Sequence, residues 1–579
     1  MGGIVMQFNK LGSIVFEGQE FDSNNIRRKI NNIKSYINKS FVSGEIVALM
    51  MVRDERLILT EIALLECNIT FLPIDLSIPE DRVSYMIKNA NVSKVIVSAK
   101  ETIDKKQDIT YIDVDEMLLN DDIVQTQSRS NNPAYILYTS GSTGNPKAVV
   151  VTYQGFMNFL EAVPQIIDFS MGKSIACFTS VSFDIFFLEA ILGLVSGLQV
   201  VLANADEQNN PKKMVQLIVN NQVKMLQLTP SRLKMMMMYN SDLSFLNSVQ
   251  ELMIGGEKLT DELLYTVQQG TKARIYNMYG PTETTIWSMI GELTKAEYVD
   301  LGQPILNTHI YLLKNRQELV SDGEEGEICI AGVGLAEGYL NNTEQTQKNF
   351  IELPFGNGER IYCTGDVAKL NNEGKLIYIG RDDAQVKLRG YRIELEEIEE
   401  IIRSVQGVHN VMVCVSQEEE NLVACYVADE FINSEKIIER LSSKLPAYMI
   451  PARYIKVPEL IYTVSGKADR KNMLLYVKRN VNKKKEVDLV TREKLTDLEK
   501  NIIDIATTVF EEFSSQITLD TTLENMGVNS LLFIKFIAEI EERYDIEFED
   551  EYLLESTFAN VGAVVLHVNR LLDNCLLGE

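Results

Sequence analysis

Histidine is nearly missing from this chain. Only His309, His409 and His567 occur in 579 residues, and none sits in a motif. A zinc site or a histidine-activated nucleophile is therefore not expected. The seven cysteines, Cys67, Cys177, Cys329, Cys363, Cys414, Cys425 and Cys575, include no CxxC pair, and three of them lie in apolar, strand-like runs. Ordinary buried thiols in a reducing compartment are the expectation. No run of about 20 uncharged apolar residues occurs, so no transmembrane helix is expected. The N-terminus lacks a basic segment followed by an apolar stretch, and position 6 is Met. Neither a secretory signal nor myristoylation is expected, and the cytoplasm is the default. Positive charge is also short: 56 Lys and Arg against 82 Asp and Glu leave a net charge of −26. That argues against nucleic-acid binding through a basic surface.

What is present is an apolar content of 45%, enough for large cores, in a chain long enough for several domains. Over the first 380 or so residues, strand-like runs such as Ile46–Val52, Lys94–Val97 and Leu198–Leu202 alternate with helical patterns. Alternation of this kind predicts α/β layers. Gly380-Arg381-Asp382-Asp383 interrupts it. A smaller α+β segment follows, with an amphipathic stretch at Leu395–Val405 and strands at Val411–Val415 and Leu422–Val427. The basic run Lys478–Lys485 suits a linker. Beyond it, residues 495–579 hold 18 acidic and 4 basic residues, a net of −14 in a small helical segment.

The most telling segment is Thr139-Ser140-Gly141-Ser142-Thr143-Gly144-Asn145-Pro146-Lys147, which follows the strand-like Ala134–Tyr138. Glycines let backbone N–H groups approach an anion, the hydroxyls add donors and Lys147 adds charge. The loop reads as a polyphosphate cradle, but not a Walker A loop, because its lysine follows proline. Downstream come Tyr279-Gly280-Pro281-Thr282-Glu283-Thr284 and Tyr362-Cys363-Thr364-Gly365-Asp366. Further motifs are Leu72–Asp75, Pro79–Arg82, Ser182-Phe183-Asp184, Gly326–Gly332, Gly380-Arg381 through Arg392-Ile393-Glu394, and Ser465-Gly466-Lys467-Ala468-Asp469-Arg470.

In this order the motifs resemble an adenylation domain of a nonribosomal peptide synthetase followed by a peptidyl carrier domain, across nearly the whole chain. The resemblance implies a multidomain protein: a large α/β adenylate-forming N-terminal core (1–381), a small α+β C-terminal subdomain (382–475), a linker (476–494) and an all-α four-helix carrier bundle (495–579). It implies ATP, Mg2+ and 4′-phosphopantetheine as cofactors. The reaction sets a carboxylate, already anionic at neutral pH, against the α-phosphorus of ATP, so charge neutralisation and alignment are needed rather than a base. The scarcity of histidine agrees with this. By resemblance, Lys467, Thr282 and Glu283 are catalytic. Lys467 bridges carboxylate and α-phosphate, Thr282 donates to the phosphate and Glu283 holds the metal. ATP or AMP falls to Thr139, Ser140, Gly141, Ser142, Thr143, Gly144, Lys147, Gly256, Glu257, Asn277, Tyr279, Gly280, Asp366 and Arg381. Tyr279 offers a face to adenine, and Asp366 accepts from the ribose.

The substrate pocket carried over in the same way is Asp184, Ile185, Leu188, Gln227, Met253, Gly255, Met278, Ile286 and Trp287. Asp184 would pair with an α-ammonium. Bulky neighbours leave little room for a side chain, so glycine is expected, with alanine the runner-up. Ser530, at the start of an apolar helical stretch, resembles the serine that carries phosphopantetheine. Asp382 and Asp383 form the expected hinge of the small domain, which would withdraw Lys467 and bring the stretch around Gly390 to a pantetheine tunnel. Expected partners are the amino acid, a phosphopantetheinyl transferase, a downstream condensation domain or tailoring enzyme, and a small helper protein. The chain is expected to act as a free-standing loading didomain. Three positions depart from the family pattern: Tyr153 for His, Ile461 for Pro, and Val528-Asn529 before the serine. An acyl- or aryl-acid ligase is disfavoured by Asp184. A non-catalytic carrier scaffold would not need Lys467, Glu283 and Asp366.

Overall fold

The computed structural model describes residues 8, 10–42, 44–98, 108–119, 133–141, 145–321, 323–355, 358–381, 385–416, 421–429, 432, 434–462, 468–483, 496–510, 517–519, 521–523, 530–544, 546–549, 552, 558 and 560–577. The chain divides into two compact units, the first ending at Ile393 and the second beginning at Glu394. The sequence reading set that division at 381/382. The hairpin of strands Gln385–Leu388 and Tyr391–Glu394 is the difference, because it is bonded to the first unit.

Three sheets build the first unit. The largest has nine strands, of which Ser13–Phe16, Gln199–Leu202, Ser174–Cys177, Met225–Leu228, Glu251–Gly255 and Arg274–Tyr279 run parallel. Strands buried on both faces must be apolar throughout, and Met225–Leu228 and Glu251–Gly255 are buried at every position. The site-bearing turns follow the carboxyl ends of these strands, where open parallel sheets hold their ligands: Gly256-Glu257, Thr229–Ser231, Ser182–Asp184 and Gly280–Glu283.

A seven-stranded sheet runs from Gly338–Tyr339 through Lys147–Thr152 and Pro133–Thr139 to Thr110–Asp113. The phosphate loop joins the antiparallel pair Pro133–Thr139 and Lys147–Thr152. In the six-stranded sheet, Arg360–Leu370 pairs with both Glu325–Gly332 and Leu376–Arg381. That register sets Asp366 directly opposite Arg381. It also opposes Cys329 and Cys363, with sulfurs 3.5 Å apart.

Asp184 stands before a continuous helix whose second segment, Leu188–Leu192, is π-wound. Such bulges gather at functional sites. Phe187 anchors the helix in an aromatic cluster, 4.4 Å from the Tyr135 ring and 5.8 Å from that of Phe156. Buried Glu189 accepts both the backbone N–H (2.8 Å) and the hydroxyl (2.7 Å) of Thr179. Phe187→Ala is expected to cost about 3–5 kcal/mol through the cavity it leaves. Denaturant unfolding would measure that loss.

In the second unit, Val408–Ser416 and Asn421–Ala428 pair antiparallel, and Arg453–Lys456 adds in parallel. Helix Arg470–Lys483 runs through the first eight residues of the expected linker. Met473 and Val477 hold it against Val423 and Cys425. Of the carrier segment, three helices are described: Asp497–Val509, Ser530–Tyr544 and Val561–Leu577. A capping box of Thr496 and Glu499 starts the first. Phe510, Phe533, Phe536 and Phe558 fill their core. Among the described residues no helix is long and apolar enough to cross a membrane.

Candidate active site

A cavity of about 370 Å3 opens at the ends of the parallel strands, lined by Gly256, Asn277, Tyr279, Gly280, Trp287 and Tyr378 among others. Five of the expected nucleotide residues, these four and Glu257, thus meet the expected pocket residues Met278 and Trp287. Asp366 is nearly enclosed beside them. Its carboxylate accepts from the Tyr279 hydroxyl (2.7 Å), the Arg381 guanidinium (2.8 Å) and the Tyr378 hydroxyl (3.3 Å). Arg381 also donates to the Thr364 carbonyl (2.9 Å), which fixes the turn before Asp366. One face of the Tyr279 ring carries the Lys387 ammonium, 5.6 Å from its centroid. Burial pushes the Lys387 ammonium below its ordinary value, and Asp366 partly opposes the shift. Asn277 holds the Asp300 carbonyl at 2.8 Å.

Glu283 lies fully buried on the short turn Thr282–Thr284. One carboxylate oxygen accepts from the Tyr339 hydroxyl (2.7 Å), the other from Arg392 (2.6 Å). Burial opposes its charge. Arg392, then Lys147, then the Tyr339 hydroxyl outweigh burial and hold the pKa at about 2. A buried carboxylate kept ionised, with hard oxygen donors, fits Mg2+, which takes one or two protein carboxylates and completes its shell with phosphates and water. From the phosphate loop, the Ser140 hydroxyl donates to the Arg392 carbonyl (2.8 Å), and Lys147 sits 5.4 Å above the Tyr339 ring. The Thr139 hydroxyl is buried and has no hydrogen-bond partner. Ser142, Thr143 and Gly144 fall outside the described residues. Glu257 does not face the cavity alone. It accepts from the Ser231 N–H and hydroxyl (2.9 and 2.7 Å) and from the Gly390 N–H.

Asp184 carries the other carboxylate. Burial raises its pKa to about 6. The Thr282 hydroxyl bond opposes that shift, and the nearby Glu283 charge adds to it. Thr282, expected on the phosphate, here turns to Asp184. Of the other expected pocket residues, Leu188, Gln227, Met253, Met278, Ile286 and Trp287 are almost fully buried. Thr285 and Ile286 both take φ of +66°, unusual for β-branched residues and costing about 1–3 kcal/mol each. That kink delivers Trp287 to the wall. A Cβ added at Gly255 would meet the Trp287 ring at 2.8 Å, so glycine there makes room for the indole. The Gln227 carbonyl oxygen and the Trp287 Nε1 are both buried without partners.

Lys467, Asp382 and Asp383 lie outside the described residues. Near Lys467, Tyr462 bridges Ala468, and Arg470 pairs with Glu399 at 2.7 Å. Ser530 is the first residue of its helix, a position suited to a phosphate. Sequence reasoning gave no separate role to Arg392, Lys387, Tyr339 or Tyr378. The first two lay within a quoted motif; the tyrosines carried no local signal. One further trio, Glu327, Cys329 and Cys363, clusters closely enough to suggest a metal. Its carboxylate is already forked by Arg316 (2.7 and 2.9 Å) and takes the Gly365 N–H (2.8 Å). The Cys363 hydrogen bond and burial keep the Cys329 thiol protonated.

A parallel sheet with a cavity at its strand ends, beside the buried carboxylates of Asp366 and Glu283, is the architecture of an α/β enzyme. Residues 13–340 match the AMP-binding enzyme family, residues 397–467 the AMP-binding enzyme C-terminal domain, and residues 501–568 the phosphopantetheine attachment site. The chain belongs to the AMP-binding enzyme family, as an ATP-dependent adenylating ligase with a carrier region. It is 32% identical over 545 residues to a dimodular nonribosomal peptide synthase of Bacillus subtilis (strain 168), covering 91% of this chain and 22% of that protein. Gramicidin S synthase 1 of Brevibacillus brevis is 31% identical over 475 residues, 80% of this chain and 42% of that one. The chain thus spans less than half of either relative. A solved nonribosomal peptide synthetase protein containing adenylation and PCP domains, bound to a vinylsulfonamide inhibitor, superposes with a TM-score of 0.82. It covers 98% of this chain and 96% of its own at 22% identity, a likeness of fold.

Proposed function

We propose that this chain activates glycine with ATP to glycyl adenylate, releasing pyrophosphate, and then loads it on its own carrier. The observation that supports this most is the Asp184 carboxylate at the head of the π-wound helix, whose pKa desolvation raises to about 6 against the opposing Thr282 hydroxyl bond. An ionised acid there calls for a cation, and the α-ammonium of an amino acid supplies one. The bulk of Trp287, Met278 and Met253, all buried, favours glycine over alanine.

In the first half-reaction, Asp184 anchors the ammonium and Lys467 brings the carboxylate oxygen to the α-phosphorus. That O–P bond forms as the bond to pyrophosphate breaks. Mg2+ at Glu283 would supply charge neutralisation for the phosphates. Asp366 and Arg381 hold the ribose end, and Tyr279 the base. In the second, a pantetheine thiol carried on Ser530 would supply the nucleophile that displaces AMP. The hinge at Asp382-Asp383, a phosphopantetheinyl transferase, a downstream condensation or tailoring enzyme, a helper protein and a cytoplasmic site of action are parts of the same proposal.

The test is amino-acid-dependent ATP–pyrophosphate exchange over glycine, alanine, larger amino acids and aryl acids. The highest kcat/KM is expected with glycine; a maximum with an aryl acid overturns the amino-acid reading. Ser530→Ala should leave exchange intact and abolish the pantetheinyl mass addition by a transferase. A pH profile gives a third check. Asp184 binds an ammonium only when ionised, and its pKa is raised to about 6. As pH falls below that value, kcat/KM for the amino acid should drop about tenfold per unit. A profile flat to pH 5 would remove Asp184 from ammonium binding.

A further inference from the structure

Thr285 and Ile286 hold the left-handed conformation that β-branched residues avoid, with φ of +66° at both, and Trp287 follows directly. Such a turn persists only where its surroundings over-determine it. Thr285 is buried, and its hydroxyl donates to the Gly334 carbonyl at 2.7 Å, across 49 residues of sequence. The same segment makes a second bond, from the Ala336 N–H to the Glu283 carbonyl at 2.9 Å. Beyond the kink, the Ser288 N–H donates to the Tyr279 carbonyl at 2.8 Å and closes the turn. Two glycines give the turn its room. A Cβ at Gly155 would meet the Thr285 hydroxyl at 3.0 Å, and one at Gly280 would meet the Trp287 Cα at 2.7 Å.

Resting on the amino-acid adenylation reading, we propose that Thr285 is a positioning residue for specificity. Its hydroxyl, tied to the Gly334 carbonyl, fixes the kink that seats the Trp287 indole and thereby sets how large a side chain the site admits. The indole has no polar anchor of its own, because Trp287 Nε1 is buried without a partner. Its place is settled by its backbone and by packing against Gly255, where an added Cβ would lie 2.8 Å from the ring. Cutting the tether lets the strained backbone relax toward negative φ. Relaxation at position 285 or 286 re-aims the Cα–Cβ bond of Trp287 and moves the ring from the cavity wall that it lines. One methyl in an apolar pocket is discriminated by close steric exclusion, so a small displacement of the ring changes which acid is accepted. The role of Thr285 is thus exerted through Trp287.

Two measurements on the full chain test this, in the parent protein, Thr285→Val and Thr285→Ser. One is amino-acid-dependent ATP–pyrophosphate exchange with glycine and with alanine. The other is acrylamide quenching of Trp287, the only tryptophan. Valine keeps the shape and the branch of threonine and loses the hydroxyl. It should lower the glycine-to-alanine ratio of kcat/KM about tenfold or more, and make the indole easier to quench. Serine keeps the hydroxyl and should keep both the parent ratio and the parent quenching. A merely structural loss would lower kcat/KM for the two amino acids alike. An unchanged ratio in Thr285→Val, or an indole as protected as in the parent, overturns the proposal. Exchange by the parent with neither glycine nor alanine overturns the substrate reading instead. The quenching comparison needs no substrate and still decides the role of Thr285. Should Thr285→Val not fold, Thr285→Gly takes its place. Glycine adopts φ of +66° without strain and carries no hydroxyl, so the same loss of selectivity and of protection is expected. Full protection of the indole in Thr285→Gly sinks the assignment.

Discussion

Asp184→Ala is expected to lower kcat/KM for amino-acid-dependent exchange by about 10^2- to 10^3-fold, because removing one partner of a buried ion pair costs roughly 3–5 kcal/mol. ATP binding should persist, since the nucleotide groups lie on other turns. The same site predicts an opposite effect on stability. The Asp184 pKa is raised to about 6 in the fold from the ordinary 3.8. A raised carboxylate contributes stability that is full below about pH 3.8 and lost as pH climbs through 6. At pH 7 its charge is therefore a burden of about 3 kcal/mol at most, taking ~1.4 kcal/mol per pKa unit. Asp184→Asn, similar in shape but neutral, should raise Tm at pH 7 while activity is lost. A fall in Tm would mean that the carboxylate holds the turn, and would leave its ammonium role unsupported.

Glu283→Gln carries the second large effect, and here stability and activity fall together. The mutation removes the carboxylate proposed to hold the metal and strands Arg392 in a largely enclosed site, at a cost of about 3–5 kcal/mol. Chemical denaturation should record that loss, and exchange activity should drop by about 10^2-fold or more. The pH sign is the reverse of that at Asp184. The Glu283 pKa is depressed from 4.5 to about 2, so its contribution is full above pH 4.5 and disappears as pH falls through 2. The depression corresponds to about 3 kcal/mol. Acid unfolding of Glu283→Gln should lack that component. Arg392→Gln on the Glu283→Gln background should recover part of the loss, because the double substitution leaves no unpaired buried charge.

Local pattern and distant pairing contributed differently to the site. The parallel strands were legible because burial on both faces forces continuous apolar runs such as Met225–Leu228. The candidate anion loop was singled out from its glycines and hydroxyls. Helix Arg470–Lys483 was misread beyond 475. Its polar sequence suits a linker, and only Met473 and Val477 packing on the sheet reveal why it stays wound. Glu257 was assigned to nucleotide by resemblance, and its oxygens also reach Ser231 and Gly390. No local signal tells which of several turns a carboxylate will face.

The sequence by itself determined the layers, the family and the candidate residues that the proposed chemistry needs. These follow from short-range periodicity, turn chemistry and motifs, which act within a few residues. The tertiary structure alone decided the pairings. Asp366 meets Tyr279 across 87 residues, and Glu283 meets Arg392 across 109. Cys329 faces Cys363 because strand register puts them opposite. Such contacts depend on how sheets and hairpins pack as a whole, and a buried charge takes whichever partner that packing brings within reach.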